Sequence, residues 1–203
     1  LTFLAMLIDY RLFRKHARPL VWIALVLLVL VLIPGIGREV SGARRWIRFK
    51  FISFQPSEFA NLALIVYIAD FICRKGGKIK LLVEGFLPPV SVLGAAVLLI
   101  LLQPDLGTVI ALGVVVLIML FVAGTRGSYI LSLLLCSLPA LYFLVFNVPY
   151  RRARIMAFLN PWLDPKGTGF QIIQSQIAIG SGGLFGRGLG HSQQKLFYLP
   201  AAH

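Results

Sequence analysis

Three carboxylates and a set of arginines could do chemistry in this chain. Asp164 lies in NPWLDPKGTGFQ (Asn160–Gln171), a polar stretch with two prolines and two glycines inside an otherwise apolar sequence. An acid in an Asp-Pro turn is either a turn former or a general base that takes a proton from a hydroxyl. Glu58, beside Pro56, and Asp105, before the run that begins at Leu106, stand at the ends of apolar segments. Acids at such depths are either functional or paired with cations, here Arg44, Arg45 or Arg48. Asp105 also suits the N-terminus of the following helix. The arginines are open to two readings: attraction to anionic lipid headgroups, or recognition of a phosphate-bearing ligand by planar guanidinium forks.

The elements that must position these groups are membrane helices. The chain has 203 residues, of which 59% are hydrophobic and 13% charged, and its mean hydropathy is +0.88. Soluble domains are roughly 45–50% apolar, so a soluble enzyme is excluded. A helix crosses the bilayer with about 20 apolar residues. Five complete spans are expected, at Leu20–Pro34, Pro56–Ile72, Phe86–Leu102, Leu106–Val122 and Ser128–Phe146, with a truncated one at Leu1–Ile8. The runs are continuous rather than alternating, which argues against a β-barrel. The expected fold class is thus an all-α, polytopic helix bundle over residues 1–146, followed by a large loop over 147–203. The chain begins on Leu1 rather than Met and is expected to be an internal piece of a longer protein.

Basic residues orient the bundle. Arg11, Arg14, Lys15 and Arg18, then Arg74, Lys75, Lys78 and Lys80, then Arg126, fall in segments that alternate onto one side, expected to be cytoplasmic. The other side receives Gly35–Gln55, the QPD turn and the tail from Asn147. It also carries much positive charge: Arg38, Arg44, Arg45, Arg48, Lys50, Arg151, Arg152, Arg154, Lys166, Arg187 and Lys195. Basic residues split across two membrane faces make nucleic acid a poor partner.

In the tail, PYRRARIMAFL predicts a short interfacial helix stopped by Asn160-Pro161. FQIIQSQIAIG predicts a half-buried helix with Phe170, Ile173 and Ile177 on one face and the amides of Gln171 and Gln174 elsewhere, which suit a sugar as well as any wet surface. The glycine-rich GSGGLFGRGLGH does not fit a dinucleotide pattern and is read as close approach of backbone to a ligand or helix. A triad of Asp164 and His191 with Ser181 or Ser192 has no support in the spacing. His191 and His203 are read as structural or solvated. The two cysteines, Cys73 and Cys136, form no metal or disulfide pattern and are expected to be small buried apolar residues.

Several stretches together resemble one family: SGARRWIRF, FQPSEFANLAL, QPDLGT, NPWLDPKGTGFQIIQSQIAIGSGGLFGRGLG and QQKLFYLPAAH, in order along the chain. They are similar to the SEDS proteins of bacterial shape, elongation, division and sporulation, the FtsW/RodA family. The ending HSQQKLFYLPAAH is more similar to the division and sporulation branch. One departure is Asn61, where the family usually has a lysine after its QPSE motif, which puts the role of Glu58 in question.

The resemblance implies a ten-helix protein of the bacterial cytoplasmic membrane, a glycosyltransferase that polymerises lipid II on the outer face beside a class B penicillin-binding protein. Asp164 matches the family's essential loop aspartate and would be the catalytic base. Arg44, Arg45, Arg48, Lys50, Lys166 and Arg187 would stabilise the leaving pyrophosphate, Gln171 and Gln174 would bind sugar, and Glu58 and Asp105 would support the site. A divalent cation, Mg or Mn, is compatible with this chemistry, although no ligand cluster of recognisable spacing is present. Two rivals remain at the level of sequence: a flippase for the lipid-linked sugar, and a noncatalytic scaffold for the transpeptidase.

Overall fold

The computed structural model describes residues 9–40, 43–49, 52–183 and 185–188. Leu1–Ile8, Lys50, His191, Ser192, Lys195, His203 and the QQKLFYLPAAH motif lie outside the described residues, and of Arg48 only the backbone is described. The chain forms two compact units, Leu1–Leu133 and Leu134–His203.

The first unit opens with helix α1, Tyr10–Leu30. It begins at Tyr10, not at the expected Leu20, so Arg11, Arg14, Lys15 and Arg18 are helical rather than in a loop. Asp9 is the cause at one end, because its side chain accepts the Arg11 N–H at 2.9 Å and caps the helix. Pro19 resembles a helix start but sits inside α1. It removes one backbone donor, a loss that helices packed in a bundle tolerate. Ala17, Val21, Ala24 and Leu28 are buried. Their spacing makes one stripe, of which Val21, Ala24 and Leu28 share a core with Ala60, Ala63, Leu64 and Ile68 of α2, Pro56–Lys75. Small residues on both sides let the two backbones approach closely. Pro56 occupies the first turn of α2, where its missing donor costs nothing.

Between α1 and α2 the chain is not plain loop. Strands β1 (Gly37–Val40), β2 (Ala43–Phe49) and β3 (Ile52–Phe54) form an antiparallel sheet in that order. Trp46 pairs with Arg38 and Ile47 with Phe54 in the register. Among the described residues this sheet is the departure from an all-α chain. Period-two alternation in ARRWIRF puts Arg45 and Ile47 on one face and Arg44 and Trp46 on the other.

A 3-10 turn (Gly76–Lys80) and a π-helical turn (Leu82–Phe86) lead from α2 to α3, Leu87–Leu101. Helix α4 runs Leu106–Val122, as its sequence predicts. Val109, Leu112, Val116 and Leu120 are its buried stripe and join the core with Leu93, Ala96 and Ile100 of α3. Helix α5, Gly127–Phe146, follows, and the division between the two units falls within it.

Among the described residues, three helical stretches are long and apolar enough to cross a membrane: Pro56–Lys80, Leu82–Leu101 and Gly127–Phe146; Leu106–Val122 is a shorter apolar helix. The charges in the first half of α1 keep it out of that set. Cys73 and Cys136 are free and exposed, not buried as expected.

The second unit contains α6 (Pro149–Leu159), a 3-10 turn (Pro161–Leu163) and α7 (Phe170–Gly182). Helix α6 has the expected bounds. Arg154 lies over the Tyr150 ring at 5.3 Å, and Arg151 Nη1 donates to the Leu144 carbonyl at 2.8 Å. On α7, Ile173 is buried but Ile177 is exposed, so the apolar face is shorter than its periodicity suggests.

Candidate functional site

Asp164 sits between the 3-10 turn and α7, on an exposed turn. Its Oδ1 accepts the Gly167 N–H at 3.0 Å. Its Oδ2 accepts the Thr168 N–H at 2.8 Å and the Thr168 hydroxyl at 3.2 Å. Its own carbonyl accepts from Gly169 N–H at 3.0 Å. The side chain thus organises the chain that enters α7. The two glycines of KGTG are required by space. A Cβ on Gly167 would collide with the Asp164 carboxylate, and one on Gly169 with the Pro161 carbonyl.

The electrostatics follow from the same contacts. The Thr168 N–H holds the Asp164 carboxyl below the ordinary aspartate value of 3.8; desolvation opposes it, and the Thr168 hydroxyl and then the Gly167 N–H add to it. Charge-assisted bonds to the ionised form are the physical reason. The group is therefore anionic at neutral pH, and among the described residues no ion pair neutralises it. A carboxylate offers about four lone-pair sites. Oδ2 has two donors and Oδ1 one, so Oδ1 retains capacity for a further donor.

Around it, Lys166 is exposed in the same turn, and Gln171 is exposed on the first turn of α7, with Gln174 half-buried one turn on. Arg187 is not extended into open space: its Nε donates to the Ser181 carbonyl at 3.0 Å. The glycine-rich segment does not bring backbone close to other atoms at Gly180, Gly182, Gly183 or Gly186. Its glycines serve dihedrals instead, with φ of 55° at Gly183, 73° at Gly186 and 86° at Gly188.

The other site residues lie in the first unit, and there the structure builds a clamp. Arg45 reaches from β2 to the QPD turn. Its Nε donates to the Gln103 carbonyl at 2.9 Å and its Nη2 to the Pro104 carbonyl at 2.6 Å. Its Nη1 lies 3.8 Å from Asp105 Oδ2. Those carbonyls follow the end of α3, where helical partners run out. Asp105 Oδ1 accepts the Thr108 N–H at 3.3 Å and so caps α4, as its position suggested. Gln103 is only 1% exposed, and its Nε2 donates to the Leu28 carbonyl at 3.3 Å. Arg45 is thereby spent on the turn, and Asp105 on Arg45 and α4.

Arg44 is exposed, on the opposite face of β2 from Arg45. Glu58 is exposed in the first turn of α2, where its charge complements the helix dipole. Among the described residues no ion pair reaches it. Asn61, one turn on, has a buried Oδ1 without a hydrogen-bond partner. Gln55 Nε2 donates to the Ser57 hydroxyl at 3.0 Å within the QPSE motif. Sequence reasoning did not pick out Gln103 or Thr168 as site-building residues. For Thr168 the signal was its place in KGTG, four residues after an acid, where a polar side chain can close a turn; Gln103 bonds the Leu28 carbonyl 75 residues away, which no local pattern announces. Among the described residues, no group of three His, Cys, Asp or Glu side chains could hold a metal ion.

Apolar helices that pack by small-residue stripes, with an exposed aspartate on a polar turn that meets no cation among the described residues, define a polytopic membrane protein with a carboxylate-bearing turn outside its spans. The family model described as "Cell cycle protein", covering FtsW, RodA and SpoVE, matches residues 1–203, and the chain belongs to that family. "Probable peptidoglycan glycosyltransferase FtsW" of Geobacter sulfurreducens is 54% identical over 199 residues, which is 98% of this chain and 53% of that protein. "Stage V sporulation protein E" of Bacillus subtilis is 47% identical over 198 residues, 98% of this chain and 54% of that one.

A solved structure titled "Structural coordination of polymerization and crosslinking by a peptidoglycan synthase complex" superposes with a TM-score of 0.67 at 39% identity, over 90% of this chain and 53% of that one. The rod shape determining protein RodA of Thermus thermophilus gives 0.58 at 35% identity, over 71% of this chain and 45% of that one. The higher identities to FtsW and SpoVE place the chain on the FtsW-like branch. It spans about half the length of the curated relatives it matches.

Proposed function

We propose that the protein carrying this chain is a peptidoglycan glycosyltransferase that polymerises lipid II at the outer face of the cytoplasmic membrane, with Asp164 as general base. One observation carries the reading: the Asp164 carboxylate is ionised, oriented by Gly167 and Thr168, uncompensated by any described cation, and left with acceptor capacity at Oδ1. An acceptor sugar hydroxyl donates to Oδ1. As its oxygen bonds to the donor's anomeric carbon, its proton passes to Asp164, and the anomeric carbon–oxygen bond to the lipid pyrophosphate breaks with its electron pair on the pyrophosphate. Direct displacement inverts the anomeric centre and turns an α-linked donor into a β-1,4 strand. The leaving pyrophosphate needs positive charge rather than a proton.

Lys166, exposed in the same turn as Asp164, suits this role, while Arg45 acts by holding the QPD turn. Gln171 and Gln174 line the same helix as donors to sugar. A low carboxyl pKa makes a weak base, and a lipid-linked substrate that covers the turn displaces water and raises it. Mg or Mn would add charge at the pyrophosphate, and no step here is routed through one. The names of the relatives support peptidoglycan glycosyl transfer, the peptidoglycan synthase complex that joins polymerization to crosslinking supports a crosslinking partner, and the positive-inside distribution supports an outward Asp164.

The test uses the full-length protein with its transpeptidase partner on labelled lipid II. Wild type gives glycan polymer on a gel, and folded Asp164→Asn gives none. Equal polymer from both returns Asp164 to a turn former. No polymer from either, with lipid II crossing vesicle membranes, supports a flippase instead.

A further inference from the structure

The first half of α1 and the last turns of α2 border an open cleft of about 780 Å³. It lies at the far end of the α1–α2 pair from the sheet. Arg11, Arg14, Lys15 and Arg18 are spaced i, i+3, i+4 and i+7, so they share one face of α1. With Arg74 of α2 they put five cations around a single carboxylate, Asp70. Asp70 is only 8% exposed, 2.8 Å from Arg74 Nη2 and 3.5 Å from Arg14 Nε. It positions two guanidinium groups and leaves most of the positive charge uncompensated. Like charges on one helix face repel, and a bound anion relieves that repulsion.

A second, apolar pocket of about 280 Å³ adjoins the first and shares Arg18 and Arg74 with it. Trp22, Leu25, Tyr67 and Phe71 line it. Trp22 is 69% exposed, on a helix whose next residues are apolar. A phosphate site opening directly onto an apolar groove fits a molecule with an anionic head and a hydrocarbon tail. Basic pockets between membrane helices take such headgroups, and the guanidinium fork matches phosphodiester oxygens.

We infer that this cleft binds one anionic glycerophospholipid of the surrounding bilayer, its phosphodiester among Arg11, Arg14, Arg18 and Arg74 and an acyl chain along Trp22, Leu25, Tyr67 and Phe71. The site uses no residue of the polymerising turn and is independent of the reading of Asp164.

The experiment is native mass spectrometry of the full-length protein in detergent, titrated with phosphatidylglycerol and with phosphatidylcholine of the same acyl chains. Wild type retains phosphatidylglycerol at least about tenfold more tightly, a difference of about 1.4 kcal/mol. The double variant Arg14→Gln/Arg18→Gln loses most of that preference, and Arg14→Lys/Arg18→Lys keeps part of it, because the charge remains and the fork does not. Trp22→Ala, which leaves every cation in place, weakens phosphatidylglycerol severalfold and leaves glycerol 3-phosphate binding unchanged. Equal retention of the two lipids by wild type overturns the proposal, as does a folded glutamine variant with undiminished preference. So does displacement of phosphatidylglycerol by an equal concentration of glycerol 3-phosphate, which would mark a free-phosphate site.

Discussion

Asp105 and Asp164 make the same local contact and end in different states. Each accepts, through Oδ1, the N–H of the residue three positions later: Thr108 at 3.3 Å and Gly167 at 3.0 Å. Each thereby sets up the helix that follows. Asp105, however, is largely buried and faces the Arg45 guanidinium, which also holds the two carbonyls before it. Its charge is consumed within the fold. Asp164 is exposed and, among the described residues, receives only neutral donors. The lesson is that a capping acid becomes available for chemistry when the turn orients it without a counter-charge. The motif position alone does not separate the two.

That contrast can be broken most severely at Asp164. With Asp164 as the proposed base, Asp164→Asn in the full-length protein is expected to lower lipid II polymerisation by about 10²–10⁴-fold. Asp105→Asn keeps the Thr108 contact and leaves turnover within a few-fold. Gel-resolved polymer from the two full-length variants, at matched folded concentration, checks this, and similar losses from both would erase the distinction.

Next in size is the clamp. Arg45→Ala leaves the Gln103 and Pro104 carbonyls and Asp105 without their donor, at a cost of about 2 kcal/mol. Thermal unfolding in detergent reads it as a lowered Tm, and Arg45→Lys recovers only part, since an ammonium cannot fork between two carbonyls. An unchanged Tm for Arg45→Ala would mean that the turn holds itself.

A smaller effect sharpens the chemistry. Thr168→Val removes the hydroxyl donor and keeps the N–H, so the Asp164 carboxyl rises toward its ordinary value. The acid limb of the kcat/KM profile, which reports the free enzyme, then moves to higher pH. A profile that does not move would separate that limb from Asp164.

The smallest effect is on acid stability. The folded carboxyl is depressed, so its contribution to the turn is present above the unfolded value and is lost as pH falls through the folded one. The turn before α7 therefore persists down to the ordinary aspartate value of 3.8 and loosens only below it. Hydrogen exchange at the Gly167 and Thr168 amides against pH tests this, since loss of protection well above that value contradicts it.

The sequence by itself determined what nearest neighbours decide. The bounds of α4 and α6, the stop at Asn160-Pro161, the cap at Asp105 and the turn around Asp164 were all legible, because apolar runs, prolines and capping acids act within a few residues. The resemblance in NPWLDPKGTG and QPSE led to the same family as the comparisons.

Tertiary structure alone decided the rest. Arg45 meets a carbonyl 58 residues away, so its role as clamp rather than free cation depends on how β2 lies against the QPD turn. The sheet hid inside a loop because seven residues of β2 gain their ladder only from β1 and β3. Helix α1 continued through Pro19 because packing against α2 outweighs one missing bond. In each case the deciding partner is distant along the chain, and local propensity is too weak to anticipate it.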